Sequence, residues 1–556
     1  MTSDARNTDS AHADWVISRM AKPPELENSD YVAESKGKGP EVWAMFCATI
    51  RGDLEAIQRL VEANPDLVRC VHYYTQPIKF AVREGHAEIV RYLLKKGASP
   101  FYRTRIFHDS LVNLAADREH EEIVKILEEA ISERSGGYSR ETEPLANELI
   151  DAVHARDYEK TADIVRNFPE RTGLSNANGT TALHEAVSIG DFHLTRLLLD
   201  NGADIQAQAG TGFSTGQKPI HIALYAGWRD RILIRKKAAL AGYLVGRGAD
   251  YNILVAAALG DTRCVREYLD AEPMLANFRD TCDRLPLSIA AGRGHHDIVE
   301  LLLENGADPN APEPDAPRGK ALLEAAFHGH TATAELLLEH GADPNGNVDS
   351  TGTAFHHARK HPELYELMKS YGGRTDIIPP ISAAVNANDL EGVDEILTQN
   401  PEEIANAKLG NPARRGRLEM VKLLLKHGAA ISGTNHGSFF RVYETAKFLL
   451  EKGANPNYRN WQGISSLHNI AHEGDVRKAG LLLDYGAQIN TIEPEYCSTP
   501  LGLACRAGHL PMVEFLLGRG ADAELPHEHP WARPLAWAEK KRHTDVARTL
   551  RAHGKT

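Results

Sequence analysis

The residues best suited to chemistry lie late in the chain. His527 and His529, in ELPHEHPW, follow Glu493 and Glu495, in IEPEYCS, at an offset of 34 residues. Two imidazoles and two carboxylates facing each other would suit zinc or manganese, or would act as a general acid and base. Trp461, Tyr496 and Trp531 accompany them, so the same group also reads as a polar, aromatic contact surface of the kind that anchors interfaces. That is the preferred reading. Near the start, Tyr73 and Tyr74 precede Phe107 and His108 by the same 34 residues and read as a second contact surface. Trp228 heads the basic stretch WRDRILIRKK, in which Arg229, Arg231, Arg235, Lys236 and Lys237 either meet an acidic partner or line a solvated helix face.

Other signals for chemistry are weaker. Of the 26 histidines, many fall at two fixed places of the repeat: His184, His221 and His468 in a helix-start phrase, and His86, His295, His330 and His509 after a turn glycine. His357 and His361 are four apart, which on a helix shares one face, but Pro362 follows directly and no third ligand is evident. GTGFSTGQK at 210–218 lacks the spacing of a phosphate-binding loop. There is no nucleophile elbow, HExxH helix, kinase signature or dinucleotide fingerprint, so no catalytic residue and no cofactor is assigned.

The elements that must position these residues are short and repeated. A Leu run ending in Gly-Ala recurs, as in LLLDNGAD at Asp204, LLLENGADPN at Asn310, LLLEHGADPN at Asn345 and LLEKGANPN at Asn457. Toward the end its glycines fall at 453, 486, 520 and 554, steps of 33, 34 and 34, the length of a two-helix unit with a loop. Upstream of the runs lie TALHEA at 181–186, KPIHIA at 218–223, LPLSIA at 285–290 and TPLGLA at 499–504, and Gly-His pairs such as Gly294-His295 separate the two phrases. Thr or Ser caps a first helix, Pro fills its first turn and Gly closes it in the left-handed region.

With its TPLH-like helix starts, GH turns and LLLxxGADPN phrases, the chain resembles the ankyrin-repeat family from about Trp43 to Gly554. The resemblance implies an all-α solenoid of roughly fifteen helix-turn-helix units with projecting β-hairpin fingers, curved into a superhelix. First helices would line the concave face and second helices the convex back. It also implies a recognition scaffold that grips a protein through the concave face and fingers. The alternative is an enzyme built on the solenoid around His527, His529, Glu493 and Glu495.

A longer period overlies the short one. Units with an acidic turn and a loop proline recur at Asn64-Pro65, Pro169, Pro273 and Asn400-Pro401, which suggests duplication of a three-unit block. Residues 1–42 match no repeat and read as a mostly disordered lead, with a short helix around Trp15 that caps the first repeat. Repeats occupy 43–404 and 454–556. Between them, 405–453 is irregular, because Gly428 and Gly453 are only 25 residues apart and Asn411-Pro412 interrupts a first helix.

Lys and Arg number 63 against 76 Asp and Glu, a net charge of −13, and no basic block stands out, which disfavours nucleic acid. Six cysteines without CxxC spacing fit a reducing compartment. No run approaches eighteen apolar residues and the N-terminus lacks a secretory core. The expectation is a cytoplasmic protein with a protein partner and neither membrane nor nucleic acid; no oligomeric state is assigned.

Overall fold

The computed structural model describes residues 4–29, 35, 37–104, 107–135, 137–211, 214–224, 231–313, 319–349, 352–374, 380–431 and 439–553. The helix starts have explicit chemistry. Ser110, Thr181, Thr353 and Thr499 stand at N-caps, each hydroxyl accepting the N–H three residues on. Pro77, Pro286, Pro500 and Pro534 open first helices where no backbone donor is lost.

Second helices begin in two ways. Asp53, Asp157, Asp191, Asp261, Asp389 and Asp475 each cap their own helix through the side chain. His86, His330 and His509 instead reach back one unit, their Nε2 atoms lying 3.1, 3.2 and 3.0 Å from the carbonyl oxygens of Ile50, Gly292 and His472. A carbonyl only accepts, so each Nε2 carries the proton and ties one unit to its predecessor. Asparagines of the GADPN phrase add a second tie. Asn310 donates to Gly341 O at 2.8 Å and accepts the Asp343 N–H at 2.9 Å, and Asn345 and Asn457 make the same pair of bonds one unit on.

The Leu runs supply the core. In the His296–Glu304 helix, Ile298, Val299 and Leu302 are buried with Leu322, Ala325 and Leu337 of the following unit. Each fully buried aliphatic side chain contributes about 1.5–3 kcal/mol, and in a solenoid that gain depends on the neighbouring unit. The longer period has a structural counterpart: each of its prolines opens a 3-10 helix, at Pro65–Arg69, Pro169–Gly173, Pro273–Asn277 and Pro401–Asn406.

The chain divides into two compact units, Asn28–Arg374, and Met1–Glu27 together with Thr375–Thr556. The lead differs from expectation. Asp4–Arg19 and Glu25–Asn28 are helical, and Ala13, Val16, Met20 and Leu26 are buried, so the segment packs on the later repeats and the Trp15 helix is not a cap on the first one. Within 405–453, Pro412 does not break the first helix but sits inside the five-residue helix Gly410–Arg414. The second helix Leu418–Lys426 follows, and the next helix is Tyr443–Glu451.

The Gly-rich hairpin is antiparallel, Ala209–Thr211 against Ser214–Gln217. The excess length after it is taken up by a long helix, Arg231–Gly246. Lys237 on that helix is buried, against its reading as a solvated or partner-facing cation, whereas Trp228 and Arg229 lie outside the described residues. His357 and His361 do not share a helix, because His361 caps Pro362–Ser370 and packs on Gly329 of the preceding unit. No helix among the described residues is long and apolar enough to cross a membrane.

Candidate functional site

The Glu493 loop folds on itself. Glu493 N–H donates to Ser498 O at 3.1 Å, and the Glu493 carboxylate accepts backbone N–H groups of Glu495, Tyr496 and Ser498. Burial, with the Glu495 charge beside it, pushes the Glu493 carboxyl up to about 7 despite those donors. Glu493 and Glu495 are thus buried loop-formers, whereas His527 is exposed. The expected array of two carboxylates facing two imidazoles at the finger tips is therefore corrected, together with the metal and acid-base chemistry it would have supported.

Tyr496 is also buried, not a contact residue. Its hydroxyl accepts from Arg506 at 3.1 Å, the Arg506 guanidinium lies 4.1 Å from its ring centre, and its ring meets Trp537 edge-on at 5.7 Å. From Trp537 an aromatic chain runs outward to Trp531 at 5.8 Å and to His529 at 6.1 Å. Ser498 locks the base of this chain, accepting from Trp537 Nε1 and donating to Ala532 O.

The outer end of the chain meets the N-terminal helix. His12 packs edge-on against His529 at 5.4 Å and stacks on Trp15, while Arg19 covers the other part of Trp15 at 4.3 Å. Ala21 N–H donates to Trp461 O at 3.1 Å. Ala13, Val16 and Met20 recur at three and four residues, one helix stripe, and all are buried. Of the sequence-predicted residues, Trp461, His529 and Trp531 are thus gathered around one helical segment.

At the other predicted surface, Tyr73 and Tyr74 are the centre of a tight turn in which His72 and Thr75 exchange backbone bonds of 3.1 and 3.0 Å. Both tyrosines are left-handed, at φ 44° and 61°, and Tyr73 is 51% exposed. Such a turn favours Asn-Gly, and each bulky residue there costs roughly 1–2 kcal/mol. Tyr102 fixes the turn by donating to Tyr74 O at 2.9 Å. On the next finger His108 is exposed and left-handed, and Arg103 donates twice to its carbonyl.

Among the described residues, the His, Cys, Asp and Glu side chains close enough to share an ion are His221, Asp280 and Cys282. Cys282 Sγ lies 3.6 Å from His221 Nδ1, and Asp280 Oδ2 lies 3.8 Å from His221 Nε2. Burial holds the His221 imidazole down, against the pull of Asp280, and pushes the Cys282 thiol up. Sequence reasoning missed this group because its members are 61 residues apart, not one repeat. The available signal was the missing finger before Asn252, where Gly248 leads almost directly into the Ile253–Leu259 helix.

A family model described as Ankyrin repeats (3 copies) matches residues 44–134, 232–313, 253–348, 438–527 and 467–556, and one described as Ankyrin repeat matches 178–209. The chain belongs to the ankyrin-repeat family. Among similar ankyrin-repeat sequences, one from Fowlpox virus is 38% identical over 87 residues, 16% of this chain and 21% of that protein. The ankyrin repeat and KH domain-containing protein mask-1 of Caenorhabditis elegans is 27% identical over 419 residues, 62% of this chain and 16% of its own length. Human cyclin-dependent kinase inhibitor 2A is 38% identical over 110 residues, 20% of this chain and 69% of that protein. The chain thus spans less than a quarter of the first two relatives.

Proposed function

We propose that this ankyrin-repeat protein is a non-enzymatic recognition scaffold that grips a partner protein through its concave face and fingers. The observation that supports it is the docked N-terminal segment, in which His12 of the helix Asp4–Arg19 meets His529 and Ala21 just after it bonds Trp461, on the surface whose residue types suit contact. A surface that accommodates a helix in its own chain is built for the helix-in-groove mode, in which one apolar stripe anchors the ligand. Trp531 backs that surface, and the strained, exposed turn at Tyr73 and Tyr74, with His108 on the next finger, forms a second contact point. Backbone strain kept at an exposed aromatic tip is more economically explained by recognition than by folding. All six cysteines stand as free thiols, four of them buried, which favours the cytoplasm.

The test uses a labelled peptide copying residues 11–27 and the full chain carrying Val16→Asp, which places a charge in the buried stripe and empties the surface. Saturable binding is expected to the Val16→Asp chain and weaker binding to wild type. Adding Trp461→Ala and Trp531→Ala should weaken it at least tenfold with an unchanged circular-dichroism melt. Absence of saturable binding to Val16→Asp refutes the reading.

A further inference from the structure

His184, His221 and His468 occupy the same position of three units, and two of them behave alike. His184 Nδ1 meets the Thr181 hydroxyl at 2.8 Å and its Nε2 lies 3.1 Å from Gln217 O. His468 meets the Ser465 hydroxyl at 2.7 Å and Thr491 O at 3.0 Å. At His221 both partners change. The hydroxyl position holds Lys218, whose backbone N–H approaches Nδ1 at 3.3 Å, and in place of a carbonyl Nε2 faces the Asp280 carboxylate. The unit between has no finger, so the Pro219–Leu224 helix presents its histidine to the loop that precedes Pro286–Arg293.

That loop is shaped as a chelate. Asp280 Oδ1 accepts the N–H of Cys282 at 2.9 Å and of Arg284 at 2.8 Å, which fixes the carboxylate and directs Oδ2 to His221. Thr281 Oγ1 donates to Gly216 O at 2.6 Å and anchors the loop to the hairpin that carries Lys218. Taking one donor atom from each residue, all three lie within 4.8 Å of one another. Cys282 Sγ stands 3.6 Å from His221 Nδ1, close to the separation of about 3.5 Å between the nitrogen and sulfur ligands of a tetrahedral zinc with bonds of about 2.0–2.3 Å, whereas Asp280 Oδ2 lies toward the other ring nitrogen, so a rotation of the ring or of the carboxylate brings the three donors onto one ion.

We propose that His221, Asp280 and Cys282 form a binding site for a zinc-class divalent cation, clamping two fingers that the missing hairpin brings together. One nitrogen, one oxygen and one sulfur donor leave a fourth position to water, and this mixed set selects zinc over calcium or magnesium. Binding replaces the Cys282 S–H bond with a metal–sulfur bond and releases its proton to solvent. The backbone donors on Asp280 act as the orienting shell such sites need. Of the cations around the site, the Lys218 ammonium is already bound to the Asp250 carboxylate, and Arg284 acts on both His221 and Cys282.

The experiment is titration of untagged, full-length protein with cobalt(II), followed by near-ultraviolet thiolate-to-cobalt absorption and by mass-spectrometric metal content, with zinc as competitor. One equivalent of cobalt is expected, with the absorption band displaced by zinc. Cys282→Ser should abolish the band. Asp280→Asn keeps an acceptor for the loop N–H groups and should weaken affinity at least tenfold, while a His527→Ala/His529→Ala double variant should titrate like wild type. Wild-type protein without the band, a band that persists in Cys282→Ser, or unchanged affinity in Asp280→Asn each overturns the proposal. If Cys282→Ser fails to fold, the Asp280→Asn comparison decides.

Discussion

Single side chains set the pH range in which this solenoid is stable. Burial holds the His184 imidazole down to about 4 and that of His468 to about 3, although each also bonds a carbonyl that favours the charged form. An unfolded histidine titrates near about 6.5. Both therefore bind protons less readily when folded, and their contribution is complete above about pH 6.5 and fades as pH falls through 4 and 3. Glu493 has the opposite sign. Its carboxyl is pushed up to about 7, so its contribution is complete below about pH 4.5 and is lost as pH rises through 7. His184 acts in Asn28–Arg374 at about 3 kcal/mol, while in the other unit His468, at about 5, outweighs Glu493, at roughly 3. The melting temperature of each unit should rise from pH 4.5 to 6.5, and that of the unit holding Glu493 should decline slightly by pH 8. Glu495→Gln removes the like charge beside Glu493 and should flatten the upper limb. Calorimetry at the three pH values checks this, and an acid limb that is flat between 4.5 and 6.5 contradicts it.

Between helices, the turn glycines divide by what lies over them. Gly508 has φ 78°, and a Cβ there would stand 2.5 Å from His543 Cε1, whereas Gly486, at φ 88°, faces open space. Alanine at either site meets a left-handed backbone at about 1 kcal/mol. At Gly508 it also displaces His543 and its bond to Arg506 O, a further loss of about 1 kcal/mol. Gly508→Ala should thus lower the denaturation midpoint about twice as far as Gly486→Ala; equal effects would show that the histidine tie carries no weight. These turns were legible in the sequence because Gly-His and the Leu run are local signals repeated many times. The Glu493 loop was not, since a one-repeat offset from His527 aligns two loops without saying that one coils inward around its own carboxylate. Nor was the docking of residues 4–19, because their stripe of Ala13, Val16 and Met20 is short and its complement lies at Trp461 and His529, where no spacing rule reaches.

At the scale of the whole chain, two units with cores of their own should unfold separately. Trp15, Trp461, Trp531 and Trp537 belong to the unit containing Thr375–Thr556, so tryptophan fluorescence follows mainly that unit while circular dichroism follows both. Leu302→Ala, in the core of Asn28–Arg374, should cost about 2–5 kcal/mol. It should move the circular-dichroism transition of its own unit and leave the fluorescence transition in place; a shift of both would mean the units unfold as one. The two-unit organisation was not visible in the sequence, because the repeat pattern runs through the division and only contacts between distant segments reveal it. Those contacts also bear on how the molecule is made. Translation yields the Trp15 helix long before Trp461 and His529 exist, and chains acquire structure as they leave the ribosome. Through most of synthesis this helix has nothing to rest on and its apolar stripe stays open to chaperones. Its docking marks a polypeptide whose final repeats have been completed.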